Sequence, residues 1–484
     1  MGRKAVSLAV LVLVVACAAP AAAFVSFEAT GAYRVRGFYN SHPHLLKESS
    51  TIYAPNGNVR FPAQQDDSDA WLDMRLRLQA RLHVTDFLTM TTRFDALERY
   101  WGQQPANEGM EWEYAYMTIH APFAKFDVGR MSSNAWGTDF VDNEEANDRV
   151  KMRIDWRDFS LFGVYQKDAE YDAFSQFEDS DVDSWHLGVG YFGEKIEAAA
   201  LASVTIDKSY SDRYSLSAAA GAPVAYTVTD FVDAAGRQND HPYDREEWAV
   251  NPYVKAKLGH TRVQGEMSYK FGDYRMYDRE KYARYYDPVT NQYYAVNRGF
   301  RDVEVRAYAW NLEAGLDLKT IGAELGYAWV GGDDDPNDDE YRSFGGTGED
   351  WEKLWILTGT QQGLENQLGP GETQPDGSVK RGNLAHDPYG YGARIFYLGG
   401  YVKPYANMKL SLRYGHAQAE QPPSAYSQDY GSEYNLYFDW YIYDNLSYSV
   451  VAAYLDAGDF WQFGDRKVRL ENIMAMQHQL RLNF

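Results

Sequence analysis

Residues 71–84 read WLDMRLRLQARLHV. Leu72, Met74, Leu76, Leu78, Ala80, Leu82 and Val84 share one parity, and Trp71, Asp73, Arg75, Arg77, Gln79, Arg81 and His83 the other. Successive side chains leave opposite faces of a strand, so this is a β-pattern. A helix would bring Arg75 and Leu78 to the same side and spoil both faces. One face is apolar and the other charged and wet. A half-buried sheet in a soluble protein satisfies that. So does a strand with lipid outside and water inside.

The same alternation recurs along the chain. Residues 24–40 place Val25, Phe27, Ala29, Tyr33, Val35 and Tyr39 against Glu28, Arg34 and Arg36. Val150, Met152, Ile154 and Trp156 oppose Arg149, Lys151, Arg153 and Asp155. Comparable runs lie at 261–271, 308–318 and 408–414, the last setting Leu410 and Leu412 against Lys409 and Arg413. Stretches near 112–120 and 160–167 alternate poorly.

The connections differ in length. Tight turns are expected at Thr85-Asp86, Gly193-Glu194-Lys195, Gly259-His260 and Asp444-Asn445. They alternate with long polar segments near 41–68, 131–148, 206–245, 272–302 and 331–388. Short turn, long loop, short turn is the grammar of an outer-membrane barrel with periplasmic turns and extracellular loops. The fold expected is all-β: an antiparallel up-and-down transmembrane barrel of about 18 strands (16–18), one domain spanning 24–484.

Composition agrees. Residues 1–23 carry Arg3 and Lys4, an apolar run and Ala21-Ala22-Ala23, and read as a secretory signal peptide. The stretch ending at Cys17 resembles a lipoprotein cleavage box, so that reading of the start stays open. Cys17 is the sole cysteine, which leaves the mature chain no disulfide and no Cys-X-X-Cys-His haem site. Loss of Arg3 and Lys4 takes the formal charge from −22 to −24 and argues against nucleic acid as a partner. Aromatic residues make up 15% of the chain, as two interfacial girdles require.

Acid is concentrated in the loops, whereas inward parity is enriched in base. The candidate pore-lining residues are Arg34, Arg36, Arg75, Arg77, Arg81, Arg93, Arg130, Arg149, Lys151, Arg153, Lys255, Lys257, Arg262 and Arg413. Fixed positive charge along a low-dielectric passage concentrates anions. The alternative is a set of Arg–Asp ladders that pack inside the wall, with Asp73, Asp95 and Asp155 as partners.

The chain ends QHQLRLNF, with Phe484 last on the apolar parity. This terminus resembles the signal that barrel-insertion machinery reads in bacterial outer-membrane proteins. Residues 126–140 (FDVGRMSSNAWGTDF), 331–336 (GGDDDP) and 443–461 are similar to segments of the alginate-export-type porins, barrels of roughly eighteen strands. The resemblance implies a passive channel with a basic constriction, used in that family for an acidic polysaccharide. Of the family's site residues only Arg130 falls in a matching segment.

The loop GGDDDPNDDE offers Asp333, Asp335 and Asn337 as candidate calcium ligands. Asp338 stands where a calcium loop needs glycine, and Phe344 where it needs glutamate. A solvated acidic turn is the plainer reading. There is no G-x-S-x-G elbow, H-E-x-x-H motif or P-loop. His83, His186 and His416 read as inward or nearly so, without a serine partner. No catalytic residue and no resident cofactor is expected.

The function expected is an outer-membrane porin of a Gram-negative bacterium, passing small or polymeric anions, with 131–148 as the constricting loop. Lipid, lipopolysaccharide and the insertion machinery are the expected partners, and barrels of this kind often form homotrimers. Two alternatives belong to other classes. A sheath around a multihaem cytochrome needs a wide, uncongested lumen. A barrel hydrolase needs a clustered polar triad at the rim.

Overall fold

Alternation closes the chain on itself. The computed structural model describes residues 25–484 except 48–51, 54–58, 62–67, 103–109, 134–135, 142–144, 171–180, 209–243, 278–282, 288–291, 297–299, 336–337, 362 and 374–378. The signal segment 1–23 and its Cys17 lie outside the described residues.

Eighteen antiparallel strands form one closed barrel. They are β1 (Ser26–Ser41), β2 (Asp69–Thr85), β3 (Leu88–Tyr100), β4 (Met110–His120), β5 (Lys125–Ser132) and β6 (Ala146–Trp156). Next come β7 (Phe159–Ala169), β8 (Val182–Phe192), β9 (Ile196–Asp207), β10 (Asp244–Leu258), β11 (Thr261–Tyr277) and β12 (Phe300–Asp317). The circuit ends with β13 (Ile321–Val330), β14 (Ala393–Tyr405), β15 (Met408–Gln418), β16 (Asp429–Tyr443), β17 (Leu446–Ala457) and β18 (Ile473–Asn483). β1 pairs with both β2 and β18, which removes every free edge.

Eight turns of two to four residues lie at one end, and all the long connections at the other. The first expected turn moves by one residue: β2 runs through Thr85 and β3 begins at Leu88, leaving Asp86-Phe87. β11 and β12 run further into the 272–302 segment than the sequence suggests, to Tyr277 and from Phe300.

The outer face is apolar. Leu187, Val189, Val254, Leu312, Leu325, Leu398 and Leu412 are exposed at mid-strand. Rings band both ends: Trp156, Phe159, Tyr191, Tyr405 and Tyr443 near the short turns, and Trp112, Trp185, Trp248, Tyr308 and Tyr434 toward the long loops. A charge at the midplane of such a face costs about 2–4 kcal/mol. Leu72, Met74, Leu76, Leu78, Ala80, Leu82 and Val84 belong to this lipid face, so this is an outer-membrane barrel of the Gram-negative kind. Among the described residues no helix is long and apolar enough to span a membrane.

The seam depends on Gly31. A Cβ there would fall 2.7 Å from the Phe484 ring and 2.8 Å from Leu78. The terminal ring therefore lies over the glycine, and Phe484 and Gly31 exchange two backbone hydrogen bonds of 2.6 and 2.9 Å.

The two poorly alternating stretches have separate causes. β4 carries a register shift opposite Arg93/Phe94, a bulge that resets its parity. β7 turns Phe162 inward because a loop packs on it from inside the barrel, with Trp136 5.6 Å away, ring to ring.

Candidate functional site

The basic stripe on β1 to β4 begins as a problem of register. Pairing sets Arg34 directly opposite Arg75, and like charges there repel. Interleaved carboxylates answer it. Asp73 receives Arg36 at 2.5 Å, and Asp95 receives Arg77 through two bonds of 2.7 and 2.5 Å. Arg75 lies 3.4 Å from Asp95 and 3.5 Å from Glu98, which also binds Arg34 at 3.1 Å. Arg93 lies over the Tyr114 ring at 3.7 Å and beside Glu113 at 3.6 Å. Five guanidiniums thus share four carboxylates, as the ladder alternative expects.

Other cations of the set hold backbone. Arg149 is buried and donates to the carbonyls of Met131 (3.0 Å) and Glu145 (3.2 Å), the two roots of the 133–145 loop, L3. Lys151 donates to Ser133 O at 3.3 Å. Arg153 binds Asp155 at 2.7 Å and Ser160 Oγ at 3.1 Å. Arg262 and Arg413 meet on Glu324 at 2.6 and 2.5 Å. Arg81, Lys255 and Lys257 face the interior with no carboxylate in ion-pairing range among the described residues.

Arg130 is a correction. It pairs across β4–β5–β6 with Ala115 and Asp148, on the face shared by Met117 and Val128. It points outward at the long-loop rim, 3.8 Å from Asp148. A guanidinium is tolerated there because the interface is wet and its long stem reaches the headgroups.

Two loops enter the barrel. Within L3, Trp136 donates to Asn251 O at 3.1 Å and meets Tyr253 edge-on at 5.0 Å. Thr138 gives both its N–H (2.6 Å) and its hydroxyl (2.9 Å) to Glu266 of β11. Phe140 packs edge-on against Trp351, 5.3 Å away in the second loop.

That second loop, L7 (331–392), was not expected inside. Trp351, Leu354, Ile356, Leu357, Leu364 and Leu368 are fully buried against the inner wall of β12 to β18. Each contributes about 1.5–3 kcal/mol through area removed from water. The wall is cut to receive them: Ala307, Ala309, Ala328, Ala417, Ala453 and Ala475 face inward, and a Cβ on Gly415 would fall 2.3 Å from Leu354. Glu433 of β16, fully buried, accepts the N–H groups of Ile356 and Leu357 at 2.9 Å each. Glu313 of β12 accepts Trp351 Nε1 at 3.1 Å and Lys353 Nζ at 3.0 Å. Lys270 of β11 donates to Phe344 O at 3.1 Å, and Arg36 to Gln361 at 2.9 Å. Glu266, Glu313, Glu433 and Lys270 are thus the residues that position both loops. None of them is singled out by the sequence, because nothing in strand parity marks a wall residue that a loop will dock on.

The acidic loop closes on an arginine. Arg342 binds Asp334 and Glu340 and lies 3.8 Å from Asp338. Asp333 is buried and accepts the N–H groups of Asp335 (3.2 Å) and Arg342 (3.4 Å). Burial pushes its carboxyl above the ordinary range. Asn337 lies outside the described residues. No cluster able to hold a metal occurs among the described residues, and the Arg342 guanidinium takes the place a cation would have among these acids.

His416 is a second correction. It shares the outer face with Tyr414 and Ser432 near the long-loop rim, because the inward parity of β15 belongs to Arg413 and Ala417. Its Nδ1 lies 3.1 Å from Ser432 Oγ, while Asp429 is 3.9 Å from Nε2, beyond hydrogen-bonding range. The nearby Gly431 N–H already serves Asp429 at 2.9 Å. The three residue types of a hydrolase meet here without its hydrogen-bonded chain.

No family model and no curated protein matches this sequence, so membership of the alginate-export-type family is not shown. Solved structures do resemble it. OpdQ of Pseudomonas aeruginosa aligns over 95% of this chain and 98% of its own, at 8% identity and a TM-score of 0.47. The outer membrane channel DcaP of Acinetobacter baumannii aligns over 95% and 97%, at 13% identity and 0.42. An anion-selective porin from Comamonas acidovorans aligns over 95% and 100%, at 10% identity and 0.41. At these identities the likeness is one of architecture.

Proposed function

We propose that this chain is a porin that lets small anionic solutes cross the outer membrane by diffusion through the part of the lumen that L3 and L7 leave beside β1 to β6. The observation that carries the reading is the docking of both loops by dedicated wall residues, Glu266, Glu313 and Glu433. A barrel that serves only as an anchor has no use for a narrowed interior. A passage that selects solutes needs one.

The lining supports anions. Arginine forks face the passage on β1 to β3, and unpaired cations follow toward the short-turn end. Guanidiniums suit carboxylates, which they meet in two-point contact. A long acidic polysaccharide fits less well, because the buried apolar mass of L7 occupies the side of β12 to β18. The same mass weighs against a sheath around a cytochrome.

The test is single-channel conductance and reversal potential in a salt gradient across a planar bilayer. An anion-selective pore is expected. Selectivity for cations would overturn the anion reading, and no conductance from correctly folded protein would overturn the channel.

A further inference from the structure

The cations of the inner wall are sorted along the barrel axis. Toward the long loops they are spent on carboxylates and carbonyls. Lys255 and Lys257 precede the 259–260 turn, Lys403 and Lys409 flank the 406–407 turn, and Arg81 lies shortly before the 86–87 turn. None of these five has a carboxylate in ion-pairing range among the described residues. The free positive charge therefore collects at the periplasmic mouth.

There it borders a cavity of about 630 Å³ beneath L7, within the size range of small-molecule sites. Lys403 Nζ and Lys409 Nζ lie 5.4 and 4.9 Å from the centre of the same ring, Tyr401. The Tyr401 hydroxyl donates to Asp317, which engages that carboxylate. Glu324 is occupied by Arg262 and Arg413, and Lys353 by Glu313. Asp439, opposite Lys409 in the ladder, is the other carboxylate at the site. With Lys353 held by Glu313, the other four cations, Arg262, Lys403, Lys409 and Arg413, against Asp317, Glu324 and Asp439 leave an excess of one positive charge in the lining. Two ammonium groups beside one ring repel each other unless an anion lies between them.

We propose that this cavity is a binding site for a small anion, a carboxylate or an oxyanion, with Lys403 and Lys409 as its direct ligands. It rests on the channel reading, of which it would be the periplasmic station. Anions leaving the lumen would pause there, and anions arriving from the periplasm would block from that side.

Succinate and sulfate are the probes, titrated calorimetrically into the full-length barrel in detergent micelles and added in turn to either side of a planar bilayer. The comparison is wild type, the double variant Lys403→Gln/Lys409→Gln, the single variants Lys403→Gln and Lys409→Gln, and Lys319→Gln, which removes one positive charge from an exposed turn nearby and is the control for each single variant. Binding of one probe or both is expected, weakened about tenfold or more in the double variant, as the loss of charged hydrogen bonds requires. Lys319→Gln should bind like wild type. Block is expected at lower concentration from the short-turn side. Preference for one probe identifies carboxylate or oxyanion chemistry. Equal binding by wild type and double variant, or binding of neither probe, overturns the site. Binding without any conductance would keep the site and overturn the channel reading alone.

Discussion

Asp95 shows how much one residue holds at the inner wall. It is 2% exposed and takes both Arg77 and Arg75. Neutralising it strands two guanidiniums that already repel Arg34 and each other. Asp95→Asn should cost roughly 3 kcal/mol, the scale for breaking a buried pair. A urea unfolding midpoint in detergent would read it, and an unchanged midpoint would mean that lumen water screens the cluster. Phe484 poses the opposite case. Its ring is 58% exposed and covers Gly31, so packing alone gives it little to lose. Phe484→Ala should refold in detergent with nearly wild-type stability yet yield far less folded barrel in cells. Equal losses in both assays would make the ring a packing residue and not an insertion signal. Both residues stood out in the sequence by type and parity. Which carboxylate would meet which arginine did not, because cross-strand register is set by turns and bulges such as the one opposite Arg93/Phe94.

At the scale of elements, L7 is a folded piece held at discrete points. Glu433→Ala leaves the Ile356 and Leu357 N–H groups buried without an acceptor, at about 1–3 kcal/mol each. The variant should keep its barrel and show larger, noisier single-channel currents as the loop loosens. Wild-type traces from the variant would show that the apolar contacts suffice. The same loop carries acids whose ionisation burial makes harder. Asp387 is pushed up to about 6, and Glu352 and Glu365 move in the same direction for the same reason. A raised carboxyl binds its proton more tightly in the folded loop than in the released one. Docking is therefore strongest below the ordinary aspartate range, weakens as pH rises from about 4 to 6, and carries the full penalty above that. For Asp387 the penalty is about 3 kcal/mol. Protease sensitivity of L7 should rise over that window, and Asp387→Asn should flatten part of the slope. Sensitivity that falls with pH would contradict the sign. Little of this was read beforehand: 331–388 reads as a polar extracellular loop, and although Leu354-Trp355-Ile356-Leu357 is an apolar run within it, one short run does not say which wall it covers.

For the whole molecule, the barrel should stand without L7. The ladder from β1 through β18 closes without L7, and lipid holds its outer face. Replacing 344–388 by a short flexible linker should leave strand content and heat-resistant migration intact. Conductance should increase severalfold and anion preference should fall. Loss of the barrel would show that the inner apolar wall needs its cover. The expectation that 131–148 constricts the lumen names one of two loops. L3 does enter, but it rests on L7 through Phe140 and Trp351.

Sequence by itself determined the barrel: period-two alternation in WLDMRLRLQARLHV and its counterparts, short turns against long loops, and an aromatic end. These are local properties, enforced residue by residue by the difference between lipid and water. Tertiary structure alone decided what fills the interior and where the free positive charge collects. Those depend on contacts between residues more than a hundred positions apart, such as Arg36 with Gln361 and Glu266 with Thr138. Spacing along the chain does not encode them, because a wet lumen accepts a charged, polar or small apolar side chain equally until a loop folds against it.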